Sequence, residues 1–151
     1  MTPQVPRVGW LLDVGGETGA DARGWLGATP LPFVIQDPLH GSGTASYTGP
    51  FSVILCLQTV DHFSRPIEEL RQMAQVASPD AWLVIDYVPS ELVCQTGVVS
   101  PPQRYKMDHP FYWTEDTLTR GLSLAGWRVI TTQRVRTALG HRKGILTCQR
   151  S

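Results

Sequence analysis

The chain has 151 residues, with 13 Lys and Arg against 13 Asp and Glu, 42% hydrophobic and 17% charged residues. That length fits one domain, residues 1–151, able to bury a substantial core, and the composition is that of an ordinary globular protein. Balanced charge excludes the basic field that nucleic acid or an anionic membrane demands, and it favours self-association.

No apolar run approaches the roughly 20 residues needed to cross a bilayer. The opening Met1-Thr2-Pro3-Gln4-Val5-Pro6-Arg7 lacks the apolar stretch of a signal peptide. Cys56, Cys94 and Cys148 are odd in number, far apart and without a CxxC pair, which predicts a reducing, cytoplasmic setting. His40, His62, His109 and His141 share no spacing typical of a metal site, so no metal is expected.

Trp10 to Val14 is a short apolar run and reads as a buried strand. Gly15-Gly16-Glu17-Thr18-Gly19 is a turn, and Ala20 to Leu26 has helical character that Gly27 and Pro30 end. Leu31 to Gln36 is a second strand, closed by Asp37-Pro38. Residues 39–50 form a polar, Gly-rich connection. Phe51 to Leu57 is the third and most apolar strand, and Cys56 within it reads as a small buried hydrophobe.

Ser64 is a candidate cap for the next helix, with Pro66 in its first turn and Glu68 and Glu69 near its positive end. Ile67, Leu70, Met73 or Ala74, and Ala77 recur on one face. Ser78-Pro79-Asp80 should stop that helix before a fourth strand, Ala81 to Val88. A long connection over 89–113 follows. Thr114 and Thr117 then predict a helix start, Gly126 its end, and Trp127 to Val135 and Gly144 to Gln149 two closing strands. Alternating strands and helices imply an α/β fold whose sheet is mainly parallel and covered on both faces. The closing pair implies an antiparallel C-terminal strand.

In such a sheet, ligands bind at the carboxyl ends of the strands. The turn after the first strand occupies that place. The dinucleotide fingerprint GxGxxG fits it badly, since Glu17 and Ala20 stand at the second and third glycines, and the P-loop pattern is absent. Leu12-Asp13-Val14-Gly15-Gly16-Glu17-Thr18-Gly19 instead resembles the first motif of class I S-adenosylmethionine-dependent methyltransferases, D-x-G-x-G-x-G. Asp37, 24 residues beyond Asp13, stands where that family keeps its ribose-binding acid. Phe51 to Phe63, Pro66 to Asp86, and Asp108-His109-Pro110-Phe111-Tyr112-Trp113-Thr114 to Trp127 are similar to further segments of bacterial small-molecule members, in the same order.

The resemblance implies a Rossmann-like fold, S-adenosylmethionine as cofactor and a small-molecule methyl acceptor. It places Asp13, Gly15, Gly16, Glu17, Gly19, Asp37, Gln58 and Thr59 at the cofactor. His109 and Tyr112 would face the acceptor, with His109, or else His62, as a general base. Plainer roles stand beside these: Asp13 and Asp37 as turn acids, Gln58 and Thr59 as polar strand ends, His62 as a helix cap, and His109 as a loop anchor.

The chain also departs from the family pattern. Glu17 replaces the central glycine, the third strand is expected to be missing, and little chain precedes the first strand to form a lid. The second strand should therefore be a sheet edge, which favours a homodimer or hetero-complex in which a partner completes the site. The alternative is a catalytically inactive methyltransferase-like scaffold serving as a binding or assembly module.

Overall fold

The structure, a computed structural model, describes residues 9–16, 19–27, 32–36, 49–90, 109–136 and 142–151. Among the described residues, six strands form one sheet: β1 (Leu11–Val14), β2 (Phe33–Gln36), β3 (Phe51–Cys56), β4 (Ala77–Tyr87), β5 (Trp127–Arg136) and β6 (Arg142–Arg150). The helices described with them are α1 (Ala20–Leu26), α2 (Pro66–Val76) and α3 (Glu115–Leu124), with a 3-10 turn over Val60–His62.

The strand order is β2-β1-β3-β4-β6-β5. The pairs β1–β2, β1–β3 and β3–β4 are parallel, and β6 runs antiparallel to both β4 and β5. The antiparallel strand is thus last in the chain but lies inside the sheet. Among the described residues β2 is the outer strand beside β1, as expected when no further strand pairs beyond it.

Strand alternation sends neighbouring residues to opposite faces. Leu12, Ile54, Cys56, Leu83 and Ile85 face one core with Leu70 and Met73 of α2 and Leu118 and Leu122 of α3. Leu11, Val53, Leu55 and Val84 face the other with Ala22 and Leu26 of α1. Helices therefore cover both faces, as the element order implies. Trp127 ties β5 to α2 through a buried indole N–H that donates to the Leu70 carbonyl at 3.0 Å. Gly121 lets α3 approach α2, since a Cβ there would come within 2.9 Å of Ile67 Cδ1.

The start of α3 forms as its sequence dictates: the Thr114 hydroxyl accepts from the Thr117 N–H, and the Thr117 hydroxyl accepts from the Thr114 N–H. Two boundaries differ from the sequence reading. Ser64 does not cap α2; Arg65 stands at that position, with no side-chain cap bond, and Pro66 opens the helix. Nor do Ser78-Pro79-Asp80 form a separate turn. The strand begins at Ala77, opposite Phe51, and five residues of β4 then span two of β3 before Val53 meets Trp82. Such an irregularity tolerates Pro79, whose missing N–H would be a fault in a regular ladder.

Candidate functional site

The parallel strands end together at one edge, where β1 runs into the glycine turn and β3 into the 3-10 turn. Asp13 is buried at the end of β1, 1% exposed. Gly16 folds back over it so closely that a Cβ at residue 16 would lie 2.2 Å from Asp13 Oδ2. Gly15 has φ +75° and packs on Thr59, where a Cβ would meet Oγ1 at 2.2 Å. Gly19, at φ +72°, packs on Ile35 and Phe33 and leads into α1. Positive φ and absent side-chain space are both conditions that glycine alone meets without strain. The turn is further tied to β2, because the Gly15 N–H donates to the Gln36 carbonyl at 2.6 Å.

Thr59 supports this turn from beyond the end of β3, where it precedes the 3-10 turn. Its hydroxyl lies 2.7 Å from the Leu57 carbonyl and 3.1 Å from that of Val14, and its single proton serves one of them at a time. Gln58 is exposed and has φ +55°, a conformation that costs a non-glycine residue energy and needs surrounding contacts to hold it. One such contact is its N–H, which donates to Asp86 Oδ1 at 2.5 Å. Asp86 Oδ2 in turn meets Lys143 Nζ of β6 at 2.6 Å. Asp86 thus joins the ends of β3, β4 and β6, with both partners of the ion pair largely shielded from water.

The 3-10 turn carries Asp61 and His62. Asp61 is buried, and the Val88 N–H donates to its Oδ2 at 3.4 Å, while Oδ1 has no hydrogen-bond partner among the described residues. Burial, only partly offset by the Val88 hydrogen bond, raises its pKa from 3.8 to about 6. His109 docks edge-on against His62, ring centroids 4.4 Å apart at 80°, and the Tyr112 ring lies 5.9 Å from His109. The segment before α3 reaches this edge because Trp113 runs beside Pro89, and the Ser90 N–H donates to the Trp113 carbonyl at 2.8 Å.

The structure therefore places Asp13, Gly15, Gly16, Gly19 and Thr59 in one contiguous turn assembly. His109 and Tyr112 form a second cluster, with His62 and Asp61, at the same sheet edge. Gln58 belongs to neither cluster by contact and bonds instead to Asp86. Glu17 and Asp37 lie outside the described residues. Asp61, Asp86 and Lys143 were not singled out by sequence reasoning; an acid two residues past a turn threonine, or inside an apolar strand, gives no local sign of its partners. Cys56 and Cys148 are free, buried thiols, and burial pushes Cys148 up to about 12. Both are packing residues, as read for Cys56.

The sequence profile of the methyltransferase domain matches residues 3–132. The chain belongs to the methyltransferase domain family. Its fold is that of the class I S-adenosylmethionine-dependent enzymes. Burkholderia thailandensis 1,6-didemethyltoxoflavin-N1-methyltransferase, solved with 1,6-didemethyltoxoflavin and S-adenosylhomocysteine, superposes with a TM-score of 0.71 at 17% identity, over 95% of this chain and 71% of that one. Magnesium protoporphyrin IX methyltransferase from Synechocystis, solved with S-adenosylhomocysteine, gives 0.58 at 16% identity, over 93% and 74%. The mitomycin 7-O-methyltransferase structure gives 0.70 at 16% identity, over 99% of this chain but 51% of that one. No curated protein sequence matches the chain significantly.

The cofactor of this family fits the residues present. The glycines pack on Thr59, Asp13, Ile35 and Phe33, which holds the turn tightly at the carboxyl ends of the strands, where this fold binds its ligands, with the Asp13 carboxylate at its base.

Proposed function

We propose that this chain is an S-adenosylmethionine-dependent methyltransferase acting on a small molecule. The observation that carries the reading is the contact of Gly16 with the Asp13 carboxylate, which leaves no space for any side chain at the base of the turn. Asp13, Gly15, Gly16 and Gly19 would hold the amino-acid end of the cofactor, beside Gln58 and Thr59. Thr59 acts by fixing the turn, because its hydroxyl is directed at the Val14 and Leu57 carbonyls. Glu17 and Asp37 take the ammonium and the ribose hydroxyls respectively in this reading.

When bound, the cofactor supplies an electrophilic methyl group on sulfonium sulfur. The protein's part is to position the acceptor and, for a hydroxyl or amine acceptor, to take its proton. His109 is assigned that proton transfer. Its ring is held by His62 and Tyr112, and Tyr112 orients the acceptor alongside.

The small-molecule acceptor is supported by the small-molecule methyltransferases among the solved neighbours. A partner is supported by one further neighbour, a Haloferax volcanii complex of the Trm112 methyltransferase activator with a putative methyltransferase, at TM-score 0.71 and 8% identity, over 94% of this chain and 82% of that one. The half-buried edge strand β2 offers a place for a second copy or such a partner. Light scattering reads that association directly; a strictly monomeric mass at high concentration contradicts it. The free thiols support a cytoplasmic setting, and among the described residues no helix is long and apolar enough to cross a membrane. The function is tested by calorimetric titration with S-adenosylmethionine and S-adenosylhomocysteine. Absence of binding at millimolar cofactor replaces the enzyme by the inactive scaffold.

A further inference from the structure

The hairpin end of β5 and β6 concentrates four cations, of which two meet a carboxylate among the described residues. Arg134 and Arg136 close β5, Arg142 and Lys143 open β6, and with Val135 and Pro89 they line a cleft of about 270 Å³. Lys143 is matched by Asp86 at 2.6 Å, and Arg134 reaches Glu115 at 3.7 Å. Arg136 and Arg142 stand directly opposite each other in the strand register. Among the described residues no carboxylate lies within ion-pairing range of either. Like charges paired across antiparallel strands repel, and an anion between them removes that repulsion.

The position of the cleft says what the anion belongs to. β5 is parallel to β4, because both run antiparallel to β6. The last residues of β5 and the first of β6 therefore lie at the carboxyl edge, which also carries the glycine turn and the His62–His109 pair. Lys143 is three strand spacings from β1, roughly 14 Å along the edge. Pro89 forms one wall of the cleft and pairs with Trp113, so the cleft adjoins the segment bearing His109 and Tyr112. Its volume is below that of a pocket enclosing a whole drug-sized ligand and suits one charged end of a molecule.

We propose that this cleft holds an oxyanion, carboxylate or phosphate, of the methyl acceptor. Arg136 and Arg142 grip it through paired N–H donors, a geometry that guanidinium groups supply and ammonium groups do not. The assignment to the acceptor rests on the methyltransferase reading.

The test titrates the whole chain with inorganic phosphate and, separately, with malonate, at ionic strength held constant with chloride, following backbone amide shifts. Saturable shifts at 134–136 and 142–144 are expected with at least one of the two. Phosphate alone marks a phosphorylated acceptor, malonate alone a carboxylate, and both the shared oxyanion chemistry. Arg136→Gln with Arg142→Gln should weaken binding at least about tenfold, the scale of losing hydrogen bonds between charged groups. Both residues are exposed, and removing their repulsion should leave the fold intact; Arg142→Gln alone serves as a second variant.

S-adenosylhomocysteine affinity, measured alongside, should be unchanged in these variants. If S-adenosylhomocysteine binds but both anions give only the shifts seen with chloride, the proposal fails and the methyltransferase reading stands. If the anions saturate the cleft but S-adenosylhomocysteine does not bind, the acceptor assignment is overturned together with that reading.

Discussion

Asp61 makes the stability of this protein depend on pH in a calculable way. Burial raises its carboxyl from 3.8 to about 6. Folding therefore favours the protonated form, so this group's contribution is fully present below pH 3.8 and is lost as pH rises through about 6. The rise is roughly two pH units at about 1.4 kcal/mol each, which puts the loss near 3 kcal/mol. Asp61→Asn cannot ionise, while its amide oxygen can still accept from the Val88 N–H. Urea denaturation of both proteins from pH 4 to pH 7.5 isolates the group together with its electrostatic coupling to Asp86, His62 and Lys143, because titrations that do not interact with Asp61 cancel in the difference. The stability of the variant relative to the parent should climb by about 2–3 kcal/mol across that range and then level off. A difference that stays flat with pH refutes the buried, raised carboxyl and with it the packing of the 3-10 turn against Val88.

Three further outcomes follow from the same edge. Lys143→Met leaves the Asp86 carboxylate buried without its cation, and should cost about 3–5 kcal/mol by denaturation. Gly16→Ala forces its new methyl into the Asp13 carboxylate; it should destabilise by about 1–3 kcal/mol and weaken S-adenosylhomocysteine binding measured by calorimetry. His109→Ala should lower turnover by about 10²–10⁴-fold for a hydroxyl or amine acceptor while leaving cofactor affinity nearly unchanged. Equal turnover in that variant makes His109 an anchor for its own segment.

What the sequence made legible was local. The Thr114–Thr117 cap and the apolar run of β3 each carry their signal within a few residues, and each forms as read; of the glycine turn, Gly15 and Gly19 take the positive φ that favours their type. Where the reading slipped, a distant contact decided. Ser78-Pro79-Asp80 has turn composition, yet Ala77 pairs with Phe51, and the Arg150 guanidinium donates to the Ala77 carbonyl, so the strand starts early. Ser64 is a good cap by type, but the chain reaches its helical path only at Pro66. At the site, Asp86 and Lys143 are 57 residues apart, and only the β4–β6 register brings them together. The positive φ of Gln58 is equally silent in sequence, since glutamine has no preference for it; the Asp86 carboxylate across the strand end helps to impose it.

Titration calorimetry with S-adenosylhomocysteine tests the central claim most directly. The account predicts saturable binding of one cofactor per chain, weakened by about 1.5–3 kcal/mol in Asp37→Ala, the scale of hydrogen bonds to a charged group. No heat of binding at millimolar concentration, in a chain shown to be folded, would contradict it.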